Sequence, residues 1–398
     1  MKIFTQSFFK KTLCLLCIML SCLPGLADTT FTVGDWKYTT DGTNTCYVSK
    51  CNSTATSIEI PSSVEYNGTT YTVTSIGKSA FYSCSSLTNI TIPTSVTSIG
   101  EYAFYGCSSL ANVIIPNSVK SIGEMAFYEC ISITSITIPS SVTSIDNYAF
   151  AKCSSLTSVT IADRETELSI ANGIFQSCQL ESLYLGGDYT YTGSTSIRPF
   201  EGKTSLKKLE ISNKVTKISD SEFYGCSSLE NVIIPNSITS IGERAFYGCT
   251  RLKDMTIGNG TETVGDYAFS GCTALENLSF GTSLSTIGEE AFHGCTAMVK
   301  LVANAPVPPT CGTDALNDIN KSTCTLYVPN EYIDVYKADE QWKEFFYINP
   351  TAVENIAADC NAVEVERYDL NGVRLNEPQR GINIVRMSDG TVRKVMVK

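Results

Sequence analysis

The side chains in this sequence with the most reactive chemistry are its cysteines, 17 in all, and their spacing decides what they can do. Nine of them, Cys84, Cys107, Cys130, Cys153, Cys178, Cys226, Cys249, Cys272 and Cys295, each follow a phenylalanine by three residues. Metal ligands converge in small clusters, whereas these thiols recur evenly beside phenylalanines, so a metal ladder is not expected. Cross-linking within the column is also disfavoured. Equivalent residues on stacked coils point the same way across ~4.8 Å, and a disulfide needs Cβ atoms about 3.8 Å apart on converging vectors. The column therefore reads as buried free thiols acting as small hydrophobes, and Lys203 in the same position shows that one coil manages without. Bridges are expected only outside it, Cys46 with Cys51 and Cys311 with Cys324, leaving Cys360 unassigned. Nucleophilic chemistry lacks partners: the single histidine, His293, replaces the tyrosine of Ala245-Phe246-Tyr247-Gly248-Cys249, and a triad or zinc site needs several convergent groups. Glu289-Glu290 reads as solvated, and no Gly-rich phosphate loop follows a strand. No enzyme activity, metal or cofactor is expected.

What positions the thiols is a repeat. Phenylalanines fall at 81, 104, 127, 150, 175, 200, 223, 246, 269 and 292, in steps of 23 residues relaxed to 25 in the middle. A unit that short encloses no core alone, so its apolar residues are buried only between neighbours, as in a solenoid. Within a unit, Ile90 and Ile92 alternate with Asn89 and Thr91 as a short strand closed by Pro93. Val96 and Ile99 repeat the alternation before Gly100. Ala103, Phe104, Cys107 and Leu110, spaced by three and four, predict a short helical turn on the opposite side. Between Ile161 and Phe200 the phrasing breaks, and residues 162–167 and 186–193 are expected to bulge out as loops displaying Tyr189 and Tyr191.

The ends differ from the middle. Residues 1–27 read as a secretory signal, with Lys2, Lys10 and Lys11 before an apolar run and Gly25-Leu26-Ala27 before Asp28. Cys22 inside it is an alternative lipidation site, although Met19-Leu20-Ser21 fits a bacterial lipobox poorly. No other stretch is apolar enough to cross a membrane. Residues 28–80 form a β-rich cap with hairpin turns at Asp41-Gly42 and Asn67-Gly68, and 81–302 the array. Residues 303–348 make an aromatic cap in which Asn330 is placed to start a helix. A linker, 349–363, leads to a basic module, 364–398, with turns at Asn371-Gly372 and Asp389-Gly390. Charged residues make up 17% and the formal net charge is −11; without a basic run in the array, nucleic acid is an unexpected partner.

The recurring phrase Ala-Phe-x-x-Cys-x-x-Leu, followed by Ile-x-Ile-Pro-x-Ser-Val-x-x-Ile-Gly, resembles the BspA-type leucine-rich repeat of bacterial surface proteins from about Ile58 to Val302. Tyr368-Asp369-Leu370-Asn371-Gly372, Gly381-Ile382-Asn383-Ile384-Val385 and Lys394-Val395-Met396-Val397-Lys398 are similar to C-terminal sorting domains that Bacteroidetes use for export. The resemblance implies a right-handed leucine-rich-repeat-like coil stack with short parallel strands on a concave face. It also implies a secreted or cell-surface protein, monomeric, that adheres to extracellular or surface proteins, with glycans as the alternative ligand and a non-binding spacer as a third reading. The outward positions of the strand face are then the candidate contacts: Asn89, Asn112, Asn231 and Asp254 in one column, Thr91, Ile114, Thr137, Thr160, Tyr184 and Ile233 in the other. Mass spectrometry of the protein recovered from cells is expected to place the mature N-terminus at Asp28; a chain retaining Met1 contradicts the signal reading.

Overall fold

Alternation along the strands puts one set of side chains inside and the other outside. In Ser135–Ile138, Ile136 and Ile138 are buried while Ser135 and Thr137 face out, and this strand pairs in parallel with Ser158–Ile161, residue for residue. The computed structural model describes residues 29–40, 42–194, 198–351, 364–368, 374–375, 377–387 and 392–397. The expected signal segment, Cys22, Cys360 and the turns at Asp41-Gly42, Asn371-Gly372 and Asp389-Gly390 lie wholly or partly outside those residues.

Parallel strands stack coil upon coil into a solenoid with very little helix. The longer strands form a ten-stranded sheet from Ser135–Ile138 to Tyr347–Pro350, and Ser57–Glu59, Asn89–Thr91 and Asn112–Val113 form a three-stranded sheet at the same place in earlier coils. Two-residue strands such as Ser121–Ile122 build a second face, where Ser121 pairs with Ser144 and Ile122 with Ile145. Among the described residues that face is interrupted once, after Tyr189–Tyr191, and resumes at Lys217–Ile218.

The third side corrects the expected helical turn. The N–H groups of Tyr102, Phe104 and Gly106 donate to the carbonyls of Glu124, Ala126 and Tyr128 in the next coil at 2.9, 2.7 and 2.8 Å, bonds that a helix would have kept internal. Tyr102 (φ 55°) and Gly106 (φ 69°) adopt left-handed backbone, which turns alternate peptides toward the neighbouring coil. Where Met125, Arg244 or Tyr267 holds the first of these positions, the strain is about 1 kcal/mol per residue, offset by hydrogen bonds between coils. Spacing of three is shared by a helix and by tight turns such as Cys107 N–H to the Phe104 carbonyl, so periodicity alone did not separate them.

Inside, the phenylalanines form a continuous stack. Phe81, Phe104, Phe127 and Phe150 lie 5.0, 5.0 and 5.1 Å apart, centroid to centroid, and Trp36 closes the column edge-on against Phe81 at 6.0 Å. Beside them, Cys107, Cys130 and Cys153 donate their thiols to the carbonyls of Phe81, Phe104 and Phe127 in the preceding coil, each at 3.1 Å. Where Lys203 replaces the cysteine, its ammonium donates to the Phe175 carbonyl at 2.6 Å. The column cysteines are free thiols. So are Cys46, Cys51, Cys311 and Cys324, and the two bridges expected there are not formed. Cys46 and Cys51 sit on one strand, Thr45–Cys51, whose extension holds them roughly 16 Å apart. Cys311 ends a strand of the second face, whereas Cys324 precedes Thr325–Val328 in the ten-stranded sheet.

At the front, antiparallel strands Thr29–Val33, Trp36–Thr40 and Thr45–Cys51 extend the second face through Thr69–Ile76, and the Asn67-Gly68 turn has left-handed backbone at both residues. At the back, Ile333–Ala338 is helical without a side-chain cap; Asn330 opens a short 3-10 turn instead. The Tyr336 hydroxyl and the Trp342 indole donate to the carbonyls of Ala305 and Pro309 at 3.0 and 2.9 Å. The tail strands Arg374–Leu375, Glu364–Tyr368, Gly381–Met387 and Val392–Val397 form an antiparallel sheet of their own. Among the described residues no helix is long and apolar enough to cross a membrane.

Burial pushes the Cys107 and Cys226 thiols up to about 12, so at about pH 8 the thiolate is scarce. Native protein is expected to leave Cys107 and Cys226 unreactive to a thiol reagent until denaturant is added. Cys272→Ala, which removes the thiol bond to a Phe246 carbonyl that still accepts the Cys249 N–H, is expected to cost about 1 kcal/mol in denaturant unfolding, and Cys272→Ser less.

Candidate functional site

Register, rather than any single loop, assembles the strand face. Thr137, Thr160 and Tyr184 are successive partners, and Tyr184 lies opposite Glu210 in the next coil. The Tyr184 hydroxyl donates to Asp163 Oδ1 at 2.6 Å. Further along, the Asn277 amide donates to Asp254 Oδ1 at 2.7 Å, and the Asn231 amide, turned so that its nitrogen meets acceptors, donates to Asp254 Oδ2 at 2.8 Å. Asn89 donates likewise to Ser57 Oγ at 3.2 Å. The outer layer is thus a mesh of short polar side chains tied coil to coil.

Two large apolar side chains stand out of that mesh. Ile114 is 82% exposed and Ile233 48%, and both occur in the phrase Asn-Val-Ile-Ile-Pro. Asn112–Val113 has no pairing to Ser135–Ile138, and Asn231–Ile234 meets Lys208–Ile211 only through Lys208 and Asn231. Each exposed isoleucine therefore marks a place where the strand ladder is broken or short. They are five coils apart and form two separate spots.

The region between Ile161 and Phe200 corrects the expected loops. Leu168–Ile170 and Tyr189–Tyr191 are strands of the second face, paired so that Tyr189 lies opposite Leu168. This register turns Tyr189 inward, 6% exposed, and removes it as a contact residue. Tyr191 is half-buried, donates to Asn172 Oδ1 at 2.9 Å and carries the Arg198 guanidinium over its ring at 5.2 Å. The Arg164 side chain is drawn in to donate to the carbonyls of Val142 and Pro139 at 2.9 and 3.0 Å.

Beyond Tyr189–Tyr191 the coils are joined differently. Elsewhere on this face a backbone carbonyl of one coil receives an N–H of the next, as Thr216 receives Thr239 at 2.8 Å. Here the Asp188 carboxylate takes that part, accepting the Thr216 N–H at 2.8 Å and its hydroxyl at 2.5 Å. The phenylalanine stack also widens, to 6.0 Å between Phe175 and Phe200 and 6.1 Å between Phe200 and Phe223.

One surface was not anticipated. Tyr82, Tyr105 and Tyr128, each following a column phenylalanine, stack at 4.9 and 5.0 Å, and the Lys152 ammonium covers the last ring at 4.9 Å. Tyr224 and Tyr247 repeat the arrangement. The signal was present as tyrosine one residue after phenylalanine, the position His293 also holds; His293 Nδ1 lies 3.0 Å from Asp318 Oδ2. Among the described residues no three histidine, cysteine or carboxylate side chains gather as metal ligands.

With the coil geometry in view, comparison with known proteins places the chain. The BspA-type leucine-rich repeat region, described as six copies, matches residues 74–198 and 194–308, more than half of the chain. The chain belongs to the BspA-type leucine-rich repeat family. Among solved structures this BspA-type chain is similar to a leucine-rich repeat protein from Bacteroides ovatus, 26% identical with a TM-score of 0.45, covering 81% of this chain and 100% of that one. It is also similar to a leucine-rich cell surface protein from Faecalibacterium prausnitzii, 21% identical, TM-score 0.39, with 83% and 97% covered. The pneumococcal vaccine antigen PcpA is 21% identical, TM-score 0.40, with 82% and 99% covered. No curated protein matches the chain.

If Asp188 replaces a missing rung of the backbone ladder, Asp188→Ala is expected to destabilise the array by about 2 kcal/mol in denaturant unfolding; an unchanged midpoint contradicts that role.

Proposed function

We propose that this chain is an exported cell-surface binding protein, adhesin-like, that contacts extracellular or surface proteins through the outward columns of its longer-strand face. The observation that carries this reading is the pair of isoleucines, Ile114 and Ile233, held in water above a mesh of small polar groups. An aliphatic side chain that stands clear of a rigid polar surround can serve as an anchor for a pocket on a partner. Asn89, Thr91, Asn112, Thr137, Thr160, Asn231 and Asp254 supply that surround, and Tyr184 adds an aromatic contact positioned by Asp163. No acid, base and nucleophile converge on this face, which favours contact over catalysis. The BspA-type family is one of surface proteins, consistent with such a role, and the segments 1–27 and 364–398 are read as the means of export.

Glycan binding is the weaker reading because sugars stack on open aromatic faces, and the exposed tyrosine columns cover one another's faces and present edges. Binding of the mature chain to immobilised extracellular matrix proteins tests the proposal. Ile114→Asp combined with Ile233→Asp, both at exposed positions, is expected to weaken saturable binding about thirtyfold without shifting the unfolding midpoint. Unchanged binding by that variant, or binding to glycans with none to protein, overturns it.

A further inference from the structure

Glu222 occupies a position that most other coils give to alanine, with Ile174 and Pro199 as the exceptions. Ala103, Ala126, Ala149, Ala245, Ala268 and Ala291 precede their phenylalanines and are fully buried, whereas Glu222 precedes Phe223 and is 1% exposed. Its Oε2 accepts the Ser219 N–H at 2.7 Å. Its Oε1 has no hydrogen-bond partner among the described residues, nor has the buried hydroxyl of Tyr189. Both line a crevice too tight to admit a water molecule, which also meets Gly187, Asp188, Lys217 and Ser219.

This space lies at the one interruption of the second face, between Tyr189–Tyr191 and Lys217–Ile218. The coils on either side are held there by the Asp188 carboxylate on Thr216, by Arg198 Nε on the Asp220 carbonyl at 3.2 Å, and by whatever state the Glu222 carboxyl adopts. We propose that this seam is a proton-operated joint, closed while Glu222 carries its proton and loosened when it loses it. The protonated carboxyl donates to the Tyr189 hydroxyl and is satisfied without a counter-charge. The ionised carboxylate is a buried charge, and separation of the two coils lets water reach it.

Burial and the Asp188 charge favour the protonated carboxyl, while the nearby cations Lys217 and Arg198 favour the ionised one. Burial, reinforced by the Asp188 charge, pushes the Glu222 carboxyl up to about 7, although the hydrogen bond from Ser219 pulls it the other way. Lys217 lines the same space, and Arg198 lies close enough to Tyr189 to act on it electrostatically. Because the folded value lies above the unfolded one, the folded state holds the extra proton. Its contribution is complete below the ordinary carboxyl range, falls as pH rises through about 7, and is absent above.

Hydrogen exchange of the full mature chain at about pH 5 and about pH 8, corrected for the intrinsic pH dependence of exchange, tests the joint. Peptides spanning 186–192 and 216–222 are expected to lose about tenfold in protection at the higher pH, while a peptide spanning 277–287 does not. Glu222→Ala installs the residue used by most other coils, so it is expected to fold and to be protected equally at both pH values. Glu222→Gln, which mimics the protonated carboxyl, is expected to do the same. Equal protection of the wild-type seam at both values, equal loss in the 277–287 peptide, or an undiminished pH effect in Glu222→Ala overturns the proposal.

Discussion

The constraint on which this molecule depends is that successive coils lie in register at one spacing. A single coil has few hydrogen bonds of its own and surrounds no core. Its strands, its turn peptides and its phenylalanine are all completed by the coil above and the coil below. Phe246 lies 5.3 Å from Phe223 and 5.3 Å from Phe269, and full burial of such a side chain contributes about 1.5–3 kcal/mol. Stability therefore grows with the number of neighbours, and the two ends need aromatic covers, Trp36 at one and Trp342 at the other.

Register also explains why one reactive residue type, repeated, is inert. The thiol column lies beside the ring stack, and from Cys107 onward each sulfur is aimed at a carbonyl one coil away, which gives it a hydrogen bond. Lys203 shows that what the position requires is a donor. Its longer chain reaches the equivalent carbonyl, and burial lowers the affinity of that amine for its proton. The column is a structural ladder whose donors contribute modestly and whose geometry forbids cross-linking.

Departures from the regular coil are confined to a few places. The ladder of the longer strands fails at Asn112–Val113 and shortens at Asn231–Ile234, and there isoleucines stand in solvent. The second face fails after Tyr189–Tyr191, where carboxylates of Asp188 and Glu222 enter a seam that backbone or alanine fills elsewhere. Regular stacking supplies stiffness; these few positions supply difference.

Sequence alone determined the solenoid, the neighbours 23 residues apart, the inward columns and the free thiols, because in a stacked coil the repeat period is itself the contact map. Only the tertiary structure decided the turn side, the fate of Tyr189 and the state of Cys46, Cys51, Cys311 and Cys324. Spacing of three between Ala103, Phe104 and Cys107 suits a helix or a tight turn equally, and the choice fell to hydrogen bonds with another coil. Tyr189 is buried because its strand pairs opposite Leu168, a register set by loop lengths whose sum no local pattern reports. The pairing of cysteines depends on where strand directions carry them, and Glu222 becomes unusual only when the alanines of its column are seen packed around the same axis.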